Sequence, residues 1–388
     1  MKKLVHVCLI LLFSPTVFSS SDAWNQKADF GGVARHRGAA LAIGNKGYMG
    51  MGHYNGSGIN IVLADWWEFD PSTNTWTQMA NYPSGNYALS FFAVGNKGYV
   101  GAGIFSSSLF YSYDPLSNTW TSVASLPAAG SDQVGFSVNG MGYYVAGTSL
   151  YEYNPSLNNW TLQAIMPFSS FSWSSTFTIG DKAYLKSGNQ LWEYKSTTDS
   201  WAVRATFPGP VTGGSASFSI NGNGYIACGG YIGWLSELVP ETWEYDPALN
   251  VWTQLVDFPG MARRFTHGFA IGDKGYMGIG TNGTNFRDFW EFDELLAVPK
   301  NESTIEIAEP YPNPSSSMIY FSQESTSEIS DQTALQIKIS DLSGRVIYAG
   351  KFDEDVLKVS KENIGNGIFI YEIFTDESIL KTGKIIFQ

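Results

Sequence analysis

Basic side chains that suit anion binding are concentrated in two stretches of this sequence. Five of the seven arginines, and every histidine after His6, fall within residues 35–53 and 263–287. A guanidinium binds a carboxylate or a sulfate through two parallel hydrogen bonds, so this pattern favours an anion-accepting pocket. With two acidic residues of a nearby loop, the candidate ligand-binding residues are Arg35, His36, Arg37, His53, Glu237, Glu241, Arg263, Arg264, His267 and Arg287.

Aromatic and acidic side chains would complete such a pocket. Tyr54, Trp234 or Phe286 would stack on the face of a sugar ring, and Glu237 or Glu241 would serve as a general acid or base. The opposite interpretation also fits the sequence, because the arginines can pair with nearby carboxylates and hold the fold together. Arginine side chains that point to separate faces would exclude the pocket.

Other chemistries find little support in the residue types. The histidines lack the close spacing of metal ligands, so we expect neither a metal nor another cofactor. Cys228 is the only cysteine after residue 21, and it falls in an apolar strand where a small buried side chain is expected. Phosphate loops, nucleophile elbows and zinc motifs do not stand out. The sequence therefore assigns no catalytic residue and leaves open whether the protein is an enzyme.

The net charge and the N-terminal segment limit which partners and which compartment are expected. The 388 residues carry a formal net charge of −12, which makes nucleic acid a poor partner. Two lysines, an apolar run over residues 4–13 and small residues at 19–21 form the pattern of a secretory signal peptide, predicted as residues 1–21. The apolar run is too short to span a bilayer and no later stretch is long enough, so we expect a secreted protein without a transmembrane segment.

A repeated pair of hairpins must position the candidate side chains. In one hairpin, alternating aromatic residues precede Asp-Pro and Asn-x-Trp, as in residues 67–71 followed by Asn74 and Trp76. Proline starts the turn, and the asparagine tolerates the left-handed conformation that ends it. The other hairpin carries Gly-Tyr or Ala-Tyr, and its tyrosines are Tyr48, Tyr99, Tyr143, Tyr184, Tyr225 and Tyr276. Their spacings of 41 to 51 residues indicate four-stranded units of the size of a propeller blade.

The ends of the repeat region predict how the units close into a ring. The sixth unit loses the pattern after Asp293, and residues 22–25 match the strand that it lacks. We expect this N-terminal strand to complete the last unit, which removes an open sheet edge. On these residues, positions 22–296 resemble the Kelch repeat family. The resemblance implies an all-β fold with a six-bladed Kelch β-propeller closed by an N-terminal strand.

Long loops gather in three neighbouring blades of this predicted ring. Residues 53–64 of blade 1, 231–241 of blade 5 and 281–288 of blade 6 form longer connections than their counterparts elsewhere. Because blades 5, 6 and 1 adjoin one another, these loops and the basic residues would meet in one sector. We expect the anion-accepting pocket there.

A second domain is predicted at residues 307–388, after a linker at 297–306. Its motifs are Tyr-Pro-Asn-Pro at 311–314, Asp-Leu-Ser-Gly-Arg at 341–345, Gly-Ile-Phe-Ile-Tyr at 367–371 and Lys-Ile-Ile-Phe at 384–387. This segment resembles the type A sorting domain of type IX secretion in Bacteroidota-like bacteria. The resemblance implies a small Ig-like antiparallel β-sandwich that the secretion machinery recognises. It also implies passage through the periplasm and export to the outer cell surface or the medium.

Three functions remain open from the sequence. The first is a binding or interaction module for glycans, anionic sugars or an extracellular protein, which a propeller performs without catalytic residues. The second is a sugar enzyme, because the chain resembles the N-acetylneuraminate mutarotase family in predicted blade number and basic sector, although no motif carries catalytic residues over. The copper chemistry of galactose oxidase-like Kelch proteins would need Cys228, in a core strand, and is not expected. The third is a structural adhesin.

Overall fold

The computed structural model of the protein describes residues 23–56, 58–105, 108–163, 165–170, 173–231, 238–297, 306–324, 335–352, 356–374 and 379–388. The chain divides into two compact units, Met1–Lys300 and Asn301–Gln388. Strands dominate the described part of both units, so the protein is all-β, as the sequence predicts. The predicted signal peptide and most of the predicted linker lie outside the described residues.

The described part of the first unit contains six four-stranded antiparallel sheets. Its first fifteen strands are β1 (Trp24–Gln26), β2 (Ala39–Ile43), β3 (Lys46–Gly50), β4 (His53–Gly56), β5 (Ile59–Val62), β6 (Trp66–Asp70), β7 (Thr75–Met79), β8 (Ser90–Val94), β9 (Lys97–Gly101), β10 (Phe110–Asp114), β11 (Thr119–Ser122), β12 (Gly135–Val138), β13 (Met141–Ala146), β14 (Ser149–Asn154) and β15 (Asn159–Leu162). The others are β16 (Ser175–Ile179), β17 (Lys182–Ser187), β18 (Gln190–Lys195), β19 (Ser200–Val203), β20 (Thr212–Gly213), β21 (Ala216–Ile220), β22 (Asn223–Ala227), β23 (Gly230–Tyr231), β24 (Thr242–Asp246), β25 (Val251–Leu255), β26 (His267–Ile271), β27 (Lys274–Gly278) and β28 (Phe289–Asp293).

We number the six sheets along the chain. Sheet 1 has the strand order β2-β3-β6-β7, sheet 5 the order β21-β22-β24-β25, and sheet 6 the order β26-β27-β28-β1. Sheets 2, 3 and 4 each consist of four consecutive strands, beginning at β8, β12 and β16. The pairs β4–β5 and β20–β23 form separate two-stranded ladders, and short 3-10 helices span Ser196–Thr198 and Glu294–Leu296.

The six sheets follow one another in a closed cycle. Their first strands β2, β8, β12, β16, β21 and β26 contact one another in that order, and β26 contacts β2 again. Backbone N–H groups just before these strands donate to the preceding member of the cycle at 2.9 to 3.3 Å: Ala88 to Arg37, Asp132 to Ala88, Trp173 to Asp132, Gly214 to Trp173, Thr266 to Gly214 and Arg37 to Phe265. This arrangement is consistent with a β-propeller.

Sheet 6 combines the two ends of the first unit. β1 pairs antiparallel with β28, with Trp24 opposite Phe292 and Gln26 opposite Trp290. The Trp24 ring is buried and packs edge-on against Phe258 at a centroid distance of 5.3 Å. The N-terminal strand therefore supplies the fourth strand that the sixth repeat lacks.

In four of the six sheets, the Asn-x-Trp motif ties the outer hairpin to the segment that leads into its own sheet. In sheet 1 the Ala28 N–H donates to Asn74 Oδ1 at 2.9 Å, and Trp76 Nε1 donates to the Ala28 carbonyl at 3.1 Å. Asn74 has a φ of 53°, which confirms the predicted left-handed turn. The same two bonds recur in sheets 2, 3 and 5 with Asn118 and Trp120, Asn158 and Trp160, and Asn250 and Trp252.

Glycine before the repeated tyrosine lets neighbouring sheets approach closely. A Cβ atom at Gly47 would lie 2.3 Å from the ring of Phe269, and one at Gly275 would lie 2.2 Å from the ring of Phe218. Both rings are buried, so neither can move aside at low cost. Any side chain at these glycines would therefore push the sheets apart.

The described part of the second unit forms two small antiparallel sheets. Its elements are β29 (Glu306–Ile307), β30 (Met318–Glu324), β31 (Gln336–Ser340), β32 (Val346–Lys351), β33 (Val356–Ser360), the short helix α1 (Lys361–Ile364), β34 (Gly367–Phe374) and β35 (Ile379–Phe387). One sheet has the order β29-β30-β33 and the other the order β32-β31-β34-β35. Buried side chains of both sheets, among them Ile319, Ile339, Val359 and Ile385, share one core.

Asn313 of the Tyr-Pro-Asn-Pro stretch fastens the last strand of this unit. Its Nδ2 donates to the Lys384 carbonyl at 2.7 Å, and its Oδ1 accepts from the Ile386 N–H at 2.9 Å. The amide thus continues the hydrogen-bond ladder beside β35, which gives the motif a structural role.

Candidate functional site

The three residues that lead into the first strand of a sheet occupy equivalent positions in sheets 1 and 6. In sheets 1 and 6 they are residues 35–37 and 263–265. The third residue has a left-handed backbone in both sheets, with φ of 54° at Arg37 and 56° at Phe265. Arg35 therefore corresponds to Arg263, His36 to Arg264, and Arg37 to Phe265. This register decides where each candidate side chain lies.

The first position in both sheets holds a buried arginine that a carboxylate of the same sheet neutralises. Arg35 is 0% exposed and donates to the two oxygens of Asp65 at 2.6 and 2.7 Å. Arg263 is also 0% exposed and donates to Asp288 at 2.5 and 2.7 Å. Burial raises the pKa of each aspartate, but the hydrogen bonds and charge of its arginine outweigh burial and hold that pKa below its usual value. The charges of these two guanidinium groups are thus neutralised inside the fold.

The second position in both sheets lines a cavity of about 410 Å³, which we call the outer cavity. Its walls include His36, Arg37, His53, Arg264, Phe265 and Thr281. Four of the candidate residues therefore meet there, from the approaches to sheets 1 and 6 and from β4. The volume lies in the range of small-molecule sites.

Two guanidinium groups share one aromatic ring at the outer cavity. The Cζ atoms of Arg37 and Arg264 lie 4.0 and 4.8 Å from the centroid of Phe265. Arg37 also forms an ion pair with Asp132, at 3.6 Å from Nε to Oδ1. Among the described residues Arg264 has no such carboxylate, and its Nε is buried without a hydrogen-bond partner. Burial, and then the charge of Arg37, lowers the pKa of Arg264.

A chain of hydrogen bonds runs through both histidines of the outer cavity. His36 Nδ1 lies 2.6 Å from Asn285 Oδ1, and His36 Nε2 lies 3.3 Å from His53 Nδ1. His53 Nε2 lies 2.5 Å from Asn60 Oδ1. Burial, opposed by the bond to Asn285 and reinforced by nearby positive charge, lowers the pKa of His36 to about 4. All four ring nitrogens are therefore engaged.

His267 lies in a different place from the other two histidines. It lines a second cavity of about 240 Å³ along the first strands, which we call the inner cavity. Its ring packs edge-on against Phe91 at 5.3 Å, and burial, then the charge of His36, lowers its pKa to about 4. Arg37 and Phe265 line both cavities.

Among the described residues, the predicted side chains of Tyr54, Glu241, Phe286 and Arg287 do not line the outer cavity. Glu241 accepts a hydrogen bond from Trp243 Nε1 at 2.8 Å. Arg287 is 57% exposed and pairs with Asp29 at 3.4 Å. The Phe286 ring, a predicted sugar platform, is covered by the Arg263 Cζ atom at 4.1 Å. Glu237 and Trp234 lie outside the described residues.

Several residues of the site are absent from the sequence-based prediction. Asp65 and Asp288 neutralise the buried arginines, while Asn60 and Asn285 hold the histidines. The sequence does carry a pattern for the aspartates. Each lies two residues before the tryptophan of an aromatic strand and accepts a hydrogen bond from the Nε1 atom of that tryptophan. The asparagines are in hairpin and loop positions that carry no such pattern. Within the described ranges, no three His, Cys, Asp or Glu side chains stand together as metal ligands.

Comparisons with known proteins identify the C-terminal unit and the fold class of the other. Residues 309–388 match the family described as "Secretion system C-terminal sorting domain". The chain is thus exported by type IX secretion to the cell surface or the extracellular space, through recognition of this domain by the secretion machinery. No helix within the described residues is long and apolar enough to cross a membrane.

The first unit has a counterpart among solved structures. The structure titled "Structure of YjhT" is similar to this chain, with a TM-score of 0.58 and 15% sequence identity, over 68% of this chain and 95% of that chain. At this identity the likeness concerns the fold alone. No curated protein matches the sequence.

Proposed function

We propose that the six sheets are the blades of a six-bladed Kelch-type β-propeller, and that this propeller binds a small carboxylated or sulfated sugar in the outer cavity. The cyclic contacts of the first strands and the pairing of β1 with β28 support the fold. With the boundaries predicted from the sequence, the propeller occupies residues 22–296, after a signal peptide at 1–21. A linker at 297–306 and the sorting domain at 307–388 follow it.

The guanidinium of Arg264 carries the binding proposal. It is partly buried, it forms no ion pair among the described residues, and the positive charge of Arg37 adds to burial in lowering its pKa. Such a charge is unfavourable until an anion neutralises it. Arg37 lies against the same Phe265 ring, so one carboxylate or sulfate can receive hydrogen bonds from both planar groups. The cavity volume suits a monosaccharide.

Binding fits the described residues better than catalysis by a mutarotase. Opening and closing a sugar ring requires one group that donates a proton and one that accepts it. The ring nitrogens of His36 and His53 are all engaged, and Glu241 is bound to Trp243. Because the chain is exported, a binding module of this kind would act on sugars outside the cell.

Isothermal titration calorimetry of the purified protein with N-acetylneuraminate tests this function. We expect saturable binding that Arg264→Ala weakens by roughly 10- to 100-fold, because hydrogen bonds to charged groups contribute about 1.5–3 kcal/mol. Arg287→Ala is the matched control, since it removes the same charge from an exposed pair outside the cavity. The neutral sugar N-acetylglucosamine should bind far more weakly.

Two outcomes would contradict the proposal. Equal affinities for the Arg264 and Arg287 variants would place the ligand elsewhere. Absence of binding by N-acetylneuraminate and by inorganic sulfate would favour the protein-binding or adhesin alternatives.

A further inference from the structure

We propose that the exposed face of the four-stranded sheet β32-β31-β34-β35 in the C-terminal unit is the surface that the secretion machinery recognises. The partner is a protein of that machinery that presents an apolar surface, with a carboxylate opposite Lys384. This inference concerns export and is independent of the anion site. It is carried by aliphatic side chains that the register of the sheet places together on the side that faces solvent.

Both faces of β34 carry large apolar side chains. Phe369, Tyr371 and Ile373 are buried and belong to the core of the unit. Between them, Ile368 is 42% exposed and Ile370 is partly exposed, so both lie on the opposite face of the strand. An antiparallel sheet with one solvated face usually alternates apolar and polar side chains. The core therefore does not account for the two isoleucines on the solvated face of β34.

The register places further aliphatic side chains beside these two. Ile368 is paired with Ile386 of β35. Ile370 is paired with Ser340 of β31, and Ser340 is paired in turn with Val346 of the edge strand β32. Paired residues have Cβ atoms about 4.5–5.5 Å apart on the same face of a sheet. Two adjacent rows of the sheet therefore contain four aliphatic side chains, which we call the sorting face: Val346, Ile368, Ile370 and Ile386.

Exposed apolar side chains are concentrated at this end of the sheet. In the described part of the C-terminal unit, the large ones are Tyr311, Leu342, Val346, Val356 and Ile368. Leu342 is 71% exposed and lies in the turn between β31 and β32, so three of the five are at the same end of one sheet. Single exposed apolar residues are ordinary, whereas a contiguous group of them marks an interaction surface.

The family of the C-terminal unit indicates which partner binds this surface. Residues 309–388 match a secretion sorting domain, so the machinery must recognise groups that are accessible on the unit. The sorting face is accessible, whereas the side chains that alternate with it are buried in the core. Lys384 is exposed and is paired with Ile370, which puts a positive charge beside the apolar group. A complementary partner is therefore apolar, with a carboxylate opposite Lys384.

The rate at which the full-length protein reaches the cell surface and the medium tests this proposal. The protein is pulse-labelled in the bacterium that encodes it and is then immunoprecipitated from the periplasmic, surface and medium fractions. We expect the double variant Ile368→Thr, Ile370→Thr to be exported roughly tenfold more slowly and to accumulate in the periplasm, because truncation of central interface residues commonly weakens binding by that factor or more. Threonine keeps the β-branched shape that suits a strand.

Two valines provide a matched pair of variants. Val346 is 49% exposed in the edge strand of the sorting face, and Val356 is 37% exposed in β33 of the other sheet. Val346→Thr should slow export, whereas Val356→Thr should leave the rate unchanged. Ile370→Val keeps the sorting face apolar and should be exported at the normal rate. Urea unfolding of the purified proteins should give similar midpoints, because the altered side chains lie outside the core.

Two lysines test the charge of the partner in the same way. Lys384→Glu places a negative charge beside the sorting face and should slow export, because it would face the carboxylate of the partner. Lys358→Glu is the matched control, since Lys358 is exposed in β33 of the other sheet. This variant should be exported at the normal rate.

The proposal is overturned by any of three results. The first is equal export of the Val346→Thr and Val356→Thr proteins, and this pair also decides the matter if the double variant is destabilised. The second is normal export of Lys384→Glu, which excludes the partner described. The third is a dimer of the purified protein that the double variant dissociates while export is unchanged, since the sorting face would then bind a second copy of the chain.

Discussion

The buried pair of Arg263 with Asp288 provides a sharp test of the register argument. Asp288→Asn keeps the size of the side chain and removes its charge. Arg263 is 0% exposed and would then hold a buried guanidinium without a counter-ion. If the first position is structural, this change should damage folding and spare the outer cavity.

The expected loss of stability is large for a single substitution. Removing one member of a buried ion pair typically costs about 3–5 kcal/mol. The Asp288 side chain is 23% exposed, so solvent screens part of the interaction and we expect about 3 kcal/mol. Asp29→Asn is the matched control, because the Asp29 and Arg287 side chains are 42% and 57% exposed and their pair should contribute about 1 kcal/mol or less.

Urea unfolding followed by tryptophan fluorescence measures both variants. We expect the midpoint of Asp288→Asn to fall well below that of Asp29→Asn, with N-acetylneuraminate binding retained in the folded state. Equal midpoints would show that Arg263 is not an essential buried charge. Loss of binding at unchanged stability would mean that Arg263 acts on the ligand, which would refute the assignment made here.

Two further predictions follow from the described side chains. The pKa values of His36 and His267 are lowered from 6.5 to about 4, so the unfolded chain binds more protons between these values and stability should fall as pH decreases from 6.5 towards 4. One pKa unit corresponds to about 1.4 kcal/mol, so each histidine should remove about 3 kcal/mol, and a urea midpoint that stays constant over this window would contradict the argument. Burial raises the pKa of Cys228 to about 12, so its thiol should resist a thiol reagent in the native protein and react in denaturant. Rapid native labelling would show that the segment after β22, which contains Cys228, opens.

The repeat made much of the fold predictable, because each motif has a local cause. The Asn-x-Trp pattern predicts a turn and a returning strand, and the structure adds that both side chains bind the segment entering the same sheet, as with Asn74, Trp76 and Ala28. The strand Val356–Ser360 of the C-terminal unit is harder to predict, because Lys358 and the charged residues on both sides resemble a loop.

The candidate site was predictable in composition but not in detail. Four of the candidate residues line the outer cavity because the adjoining repeats bring residues 36, 37, 53 and 264 together. The sequence left open whether Arg35 and Arg263 pair with carboxylates inside the fold or face a ligand, since an arginine at the first position is chemically identical to one at the second. Only the aspartate that comes directly before the third strand of the same sheet, Asp65 or Asp288, distinguishes them.

The register also explains how one repeat supplies both stability and recognition. At the first position, Arg35 and Arg263 are directed into their own sheets and neutralised there. One residue later, His36 and Arg264 line the outer cavity, where the described residues of the sheet offer Arg264 no carboxylate. Basic residues at the second position therefore depend on a ligand, or on loss of a proton, to relieve their charge. Loss of a proton suffices at His36, whereas the guanidinium of Arg264 stays protonated and needs an anion to relieve its charge.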